Sequence, residues 1–203
     1  MKNVRRLVAI VIIMCLVSTF TFPASAAEMK NDTIDGMDRY FTLTTNGTIS
    51  FDTESAITAG YAESAVARVH ERINFMNGLV LSGKAYINAD FNAVEGQPMA
   101  RYTNAQIVHN WDGTTDVYLN MTEAQQLLDG IELAEMGLDY FTILAEFPNP
   151  VQPYVAPIFL FNAITLGSYR NQIENAMEQG TGIVMHIWTA DSTGMQFYTF
   201  WAQ

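Results

Sequence analysis

An α+β fold is predicted for this chain: antiparallel β-hairpins packed with two or three long helices. Two patterns predict it. Apolar residues recur every three or four positions over 62–77, 122–147 and 158–179, the period of a helix with one buried face. Between and around these stretches lie short strand-like runs that break at Asn46-Gly47, at Asp112-Gly113 and at 191–194, the residue types of tight hairpin turns. No internal repeat and no low-complexity stretch interrupts them.

The chain opens with a segment of another kind. Lys2, Arg5 and Arg6 precede an apolar run over 7–22, then Pro23 and the small triplet Ala24-Ser25-Ala26. A basic start, a short apolar middle and an A-x-A end are the parts of a secretory signal peptide, with cleavage expected before Ala27. The run is too short for an integral membrane anchor. Met14 before Cys15 argues against lipoprotein processing. Removing 1–26 from 203 residues leaves 177, enough for one domain with a sizeable core. Residues 27–38 read as a flexible acidic lead-in and 39–203 as a single α+β domain.

Cys15 is the sole cysteine, so the processed chain has none. Disulfides, thiol catalysis and cysteine-held zinc are thereby excluded from it. Three of the ten basic residues leave with the signal, so seven remain against 21 acidic ones, a net charge of −14. Such a field repels nucleic acid and anionic lipid alike.

Residues 40–51 read as a hairpin. A three-residue loop with Gly47 left-handed pairs Leu43 with Ile49 and Phe41 with Phe51, and gives one apolar face. Asp52 is a cap for a short helical turn ending near Gly60. A firmer helix over 62–77 buries Val66, Val69, Ile73 and Met76, with Gly78 as its stop. Residues 86–91 suit a strand and Gly96-Gln97-Pro98 a loop. Residues 106–111 and 114–119 form a second hairpin. Thr122 and Gln125 make a capping box for a helix carrying Leu127, Ile131, Ala134, Leu138, Phe141 and Ala145 to about Phe147. Prolines 148, 150, 153 and 157 break it. A partner helix over 158–179 stops at Gly180 and completes a helical hairpin. Residues 182–189 and 195–201 close the chain as a third hairpin.

The run Trp111-Asp-Gly-Thr-Thr-Asp-Val-Tyr-Leu119 and the helical pair after it carry a resemblance. So do Asn175, Gly180-Thr-Gly-Ile-Val184 and the tryptophan-rich end at Gln203. Over about 105–203 the chain resembles small secreted proteins of Gram-positive bacteria, largely uncharacterised and sometimes bacteriocin-like. The resemblance implies secretion and a two-helix element flanked by strands, and it carries over no catalytic residue.

Candidate chemistry is sparse. His70, His109 and His186 each stand alone, and Asn74 occupies the place where a zinc-protease helix starting at His70-Glu71 needs its second histidine. No Gly-x-Ser-x-Gly elbow and no phosphate loop is present. Asp112 with Asp116, or Glu132 with Glu135, would serve as acid and base only if burial drove their affinities apart. Turn geometry and a solvated helix face account for them more simply. No cofactor and no metal is expected.

The span from Leu138 to Leu166 holds only two charged residues, Asp139 and Glu146, among many apolar ones. Two helices meeting there would present an apolar tip with Phe147, Tyr154, Phe159 and Phe161 as contact residues. The expected function is that of a secreted, non-enzymatic protein acting through an apolar surface, as a bacteriocin-like antagonist would. Its partner would be a cell-surface protein or membrane of another bacterium. Two alternatives stand beside it. One is an extracellular module binding wall polymer or carbohydrate through Trp188, Tyr198, Phe200 and Trp201; the other is a secreted hydrolase.

Overall fold

The computed structural model describes residues 32–95, 106–190 and 193–203. The expected export segment, the loop expected at Gly96-Gln97-Pro98 and residues 191–192, expected in the last turn, lie outside the described residues. The fold is α+β, with a two-stranded and a six-stranded antiparallel sheet.

Strands β1 (Phe41–Leu43) and β2 (Ile49–Phe51) pair with Phe41 opposite Phe51 and Leu43 opposite Ile49. This is the register that the three-residue loop predicts. Gly47 makes it possible by taking φ 74°, a left-handed conformation that costs a glycine nothing. Asp52 caps α1 (Thr53–Thr58), its carboxylate accepting from the Ser55 amide at 3.0 Å. Helix α2 (Glu63–Leu81) then buries Val66, Val69, Ile73 and Met76. Asn77 of α2 clamps the hairpin, bonding both the N–H and the C=O of Ile49 at 2.8 Å.

Gly78 is not the stop. The helix continues to Leu81 because one interior glycine costs only about 1 kcal/mol. The stop is Gly83, at φ 73°, where the Gly83 and Lys84 amides fold back onto the Val80 and Leu79 carbonyls. The stretch 32–38, the end of the expected flexible lead-in, docks on α2. Met37 is fully buried, and the Tyr61 hydroxyl donates to the Asp35 carbonyl at 2.7 Å.

Strands β3 (Ala85–Ile87) and β4 (Ala93–Glu95) form a hairpin where the sequence suggests one longer strand. The Asn88 side chain turns the chain by accepting from the amides of Asp90 and Asn92. Strands β5 (Gln106–His109) and β6 (Thr115–Asn120) follow as expected, with Gly113 at φ 97° between them.

Helix α3 (Met121–Glu135) is capped by Asn120 and Glu123 rather than by Thr122 and Gln125. The Asn120 carbonyl oxygen accepts from the Thr122 and Glu123 amides, and Glu123 returns a bond to the Asn120 amide at 2.9 Å. The strand therefore feeds straight into the helix. The helix ends twelve residues before the expected Phe147. Gly137, at φ 69°, reverses the chain, and the Gly137 and Leu138 amides bond back to Ala134 and Leu133. Two single turns follow, α4 (Phe141–Leu144) and α5 (Gln152–Val155), with a 3₁₀ turn at Ala156–Leu160. Helix α6 (Ala163–Gln179), capped by Asn162, begins five residues later than expected. The predicted helical hairpin is thus two helices joined by a folded apolar link. Glu135 and Arg170 hold them together at 2.8 Å.

Strands β7 (Gly182–Thr189) and β8 (Gln196–Ala202) complete the large sheet, whose spatial order β3 to β8 is the order of the chain. Alternation divides its residues. Ile107, Val117, Leu119, Ile183, Met185 and Phe200 face the core that also holds Leu127, Ile131, Leu166 and Ile173 of α3 and α6. A second core gathers the small sheet, α2 and Ala93. Asp116, Tyr118, His186, Trp188 and Trp201 occupy the opposite face of the large sheet. Among the described residues, no helix is long and apolar enough to cross a membrane.

Candidate functional site

The residues expected at an apolar tip turn inward. Phe147 and Phe159 are 2% and 4% exposed, and Tyr154 and Phe161 are partly buried against the same core. The reason is the link's shape. Once Gly137 ends α3, the proline-rich segment folds over the helices instead of extending them. Phe159 then lies over Gly130, whose missing side chain leaves room for the ring.

Their neighbours take the surface. Met136, Leu138, Phe141, Leu160 and Ile164 are all more than half exposed, from 54% at Leu138 to 88% at Ile164. They belong to the folded link between α3 and α6 and its flanks. Asp139 accepts from the Phe141 amide and starts α4, while Tyr140 contacts both Phe141, at 4.7 Å between ring centres, and Phe159, at 5.0 Å. The Glu135–Arg170 pair brings the end of α3 to the first turns of α6. Four of these five residues fall within the 138–166 span and Met136 just before it, but none is among the four expected there. The usable signal was Gly137, a helix stop inside an otherwise continuous stripe.

The C-terminal strand pair offers a second surface. Tyr198 and Phe200 are buried with Tyr169, but Trp188 and Trp201 are 40% and 43% exposed on the opposite face. Trp188 stacks on Phe197 at 4.3 Å, and Trp201 lies against His186 at 5.2 Å. His186 Nδ1 is 2.6 Å from Asp116, which also accepts from the Asn110 amide at 3.0 Å.

The three histidines do not converge. His70 is exposed on α2, His186 lies on the outer sheet face, and His109 is buried on the inner one. Among the described residues no group of histidines and carboxylates is placed to hold a metal ion. His109 Nε2 is 2.7 Å from Glu95, with the Tyr154 hydroxyl at 3.5 Å and the Phe75 ring edge-on. The geometry suits an ion pair, yet burial pulls the imidazole below its ordinary value, and the Glu95 bond and charge offset this only in part. Neutral His109 donating to the Glu95 carboxylate is the state this site favours. Asp112, Asp116 and Glu135 have structural partners too. Asp112 accepts from the Thr114 amide and hydroxyl, and Glu135 holds Arg170.

The third feature is a cleft of about 470 Å³ between residues 32–35, α2 and the β5–β6 turn. Arg68, Arg72, Asp35, Trp111 and Asp112 line it. Arg72 donates to the carbonyls of Asn110 at 2.9 Å and Thr114 at 2.7 Å, and to the Thr115 hydroxyl at 3.2 Å. Asn110 therefore serves both sides of the sheet end, accepting from Arg72 and donating to Asp116.

No family model, no curated protein and no solved structure matches this chain.

Proposed function

We propose that this protein is a secreted, non-enzymatic binding protein that acts through the apolar end of the molecule. A bacteriocin-like antagonist of another bacterium is the form of that activity the reading favours. The observation that carries it is that Met136, Leu138, Phe141, Leu160 and Ile164, five large apolar side chains of the α3–α6 link and its flanks, are each more than half exposed. Such exposure in water is unfavourable unless something covers it. A net charge of −14 after removal of 1–26 opposes approach to anionic lipid, so a cell-surface protein is the favoured partner. His109 bonds Glu95, Asp112 bonds Thr114, Glu135 holds Arg170 and His186 pairs with Asp116 on the outer sheet face, an arrangement that favours binding over hydrolysis.

The test compares the processed protein with a Leu160→Asp, Ile164→Asp double variant. Both positions are exposed, so folding should be unaffected. Binding to, or killing of, related bacterial cells is expected for the parent and lost in the variant. Equal behaviour of the two proteins, or no binding by either, overturns the reading.

The exposed Trp188 and Trp201 favour a second reading, a module for wall polymer or carbohydrate. Their rings offer flat apolar platforms beside the hydrogen-bonding Asp116–His186 pair. Pull-down on insoluble wall polysaccharide, lost in Trp188→Ala and Trp201→Ala, supports it; retention by both variants removes it.

A further inference from the structure

The cleft beside Arg72 is lined by both signs of charge. We propose that it binds a small zwitterion of the amino-acid or short-peptide class, with the carboxylate on Arg72 and the ammonium on Asp35.

Arg72 is the starting point. All three of its hydrogen bonds go to neutral oxygens, and among the described residues no carboxylate forms an ion pair with it. Its Nη1 makes no hydrogen bond among these residues, while the side chain lines the cleft. Burial lowers its proton affinity, and Asp112 counters this only through its field. A guanidinium stays charged in such a place, and three neutral acceptors and the Phe75 ring satisfy it less well than a carboxylate would. The three bonds to the β5–β6 turn fix its plane, so a carboxylate would meet a donor edge already in position.

The rest of the lining selects among ligands. Asp35 is exposed in the cleft wall opposite α2, its carboxylate without a hydrogen bond among the described residues. Asp32 stands nearby, 3.7 Å from Arg68. A simple anion such as phosphate would meet Asp32, Asp35 and Asp112. A simple cation would meet Arg68 and Arg72. A neutral sugar would leave the Arg72 charge unanswered. Only a molecule with a carboxylate at one end and an ammonium at the other satisfies both walls. Trp111 supplies an apolar side for its middle, and the volume falls in the range of small-molecule sites.

The experiment is an amide and indole NMR titration of the processed protein. The probes are alanyl-alanine, its C-terminal amide, its N-acetyl derivative, inorganic phosphate and a neutral disaccharide. Dipeptides with a basic, an acidic and an aromatic side chain extend the panel. At least one free dipeptide is expected to shift the Trp111 indole and residues 32–35, with both blocked forms about tenfold weaker or worse. Asp35→Asn, at an exposed position, should keep the melting temperature and weaken binding several-fold. No binding by any free dipeptide, equal affinity for the blocked forms, or a preference for phosphate or the disaccharide overturns the proposal. So does unchanged affinity in Asp35→Asn.

Discussion

Arg72, midway along α2, donates its Nε hydrogen to the carbonyl of Asn110 at 2.9 Å, tying the long helix to the turn that joins β5 and β6. Its Nη2 bonds at Thr114 and Thr115 complete the tie, so one side chain orders both ends of that turn. Arg72→Ala would leave three acceptors without their donor and remove a cation from the Phe75 ring. A loss of about 2–4 kcal/mol is expected. Urea denaturation checks it, and an unchanged midpoint would show that the tie contributes nothing.

Two glycines of the α3 region differ in why they are glycines. Gly137 needs its left-handed backbone, and a Cβ there would meet nothing within 4 Å. Gly137→Ala should therefore cost about 1 kcal/mol, from the backbone alone. At Gly130 the backbone is helical, but a Cβ would stand 2.7 Å from the Phe159 ring. Gly130→Ala should cost about 1–3 kcal/mol through overpacking. Pairing it with Phe159→Leu tests the cause: the alanine should be better tolerated beside the smaller side chain.

The helix caps give a direct comparison of neighbouring residues. Asn120→Ala removes an acceptor serving two amides and should cost about 1 kcal/mol. Thr122→Ala, at the position the sequence pattern favours, should change stability by less than about 0.5 kcal/mol. Thermal melts of the two variants decide between the registers; the reverse order would return the cap to Thr122.

His109 makes stability depend on pH. Its folded affinity for protons lies below the ordinary value, with burial as the largest cause. As pH falls below about 6.5, the unfolded chain takes up a proton that the folded one refuses. Stability should be fully present above that pH and decline from there toward pH 5, before most carboxylates titrate. The decline should be absent from the difference between His109→Gln and the parent only if His109 is not its source. Denaturation curves at pH 7.5, 6.5 and 5.5 for both proteins measure this.

Much of the local structure was legible from residue order. The Phe41–Phe51 register followed from one requirement, that a single hairpin face be apolar, together with a glycine able to take positive φ. Val66, Val69, Ile73 and Met76 showed the buried face of α2 by spacing alone. The β3–β4 hairpin was hidden because its turn depends on the Asn88 side chain bonding amides two and four residues on, which composition does not reveal. The apolar end was misread for a related reason. In an apolar stretch every residue looks equally fit for the core, and nothing local separates Phe159 from Leu160.

The sequence by itself determined the α+β class, the β1–β2 and β5–β6 turns and the buried faces of the long helices, since these rest on periodicity and on the conformations open to glycine. The tertiary structure alone decided which rings of the 136–164 span are buried, which tryptophans face outward, and that Arg72 and Asp35 line one cleft. Those outcomes depend on contacts between segments distant along the chain. Such contacts are set by how the proline-rich link folds back over α3 and α6, and by how residues 32–35 lie along α2.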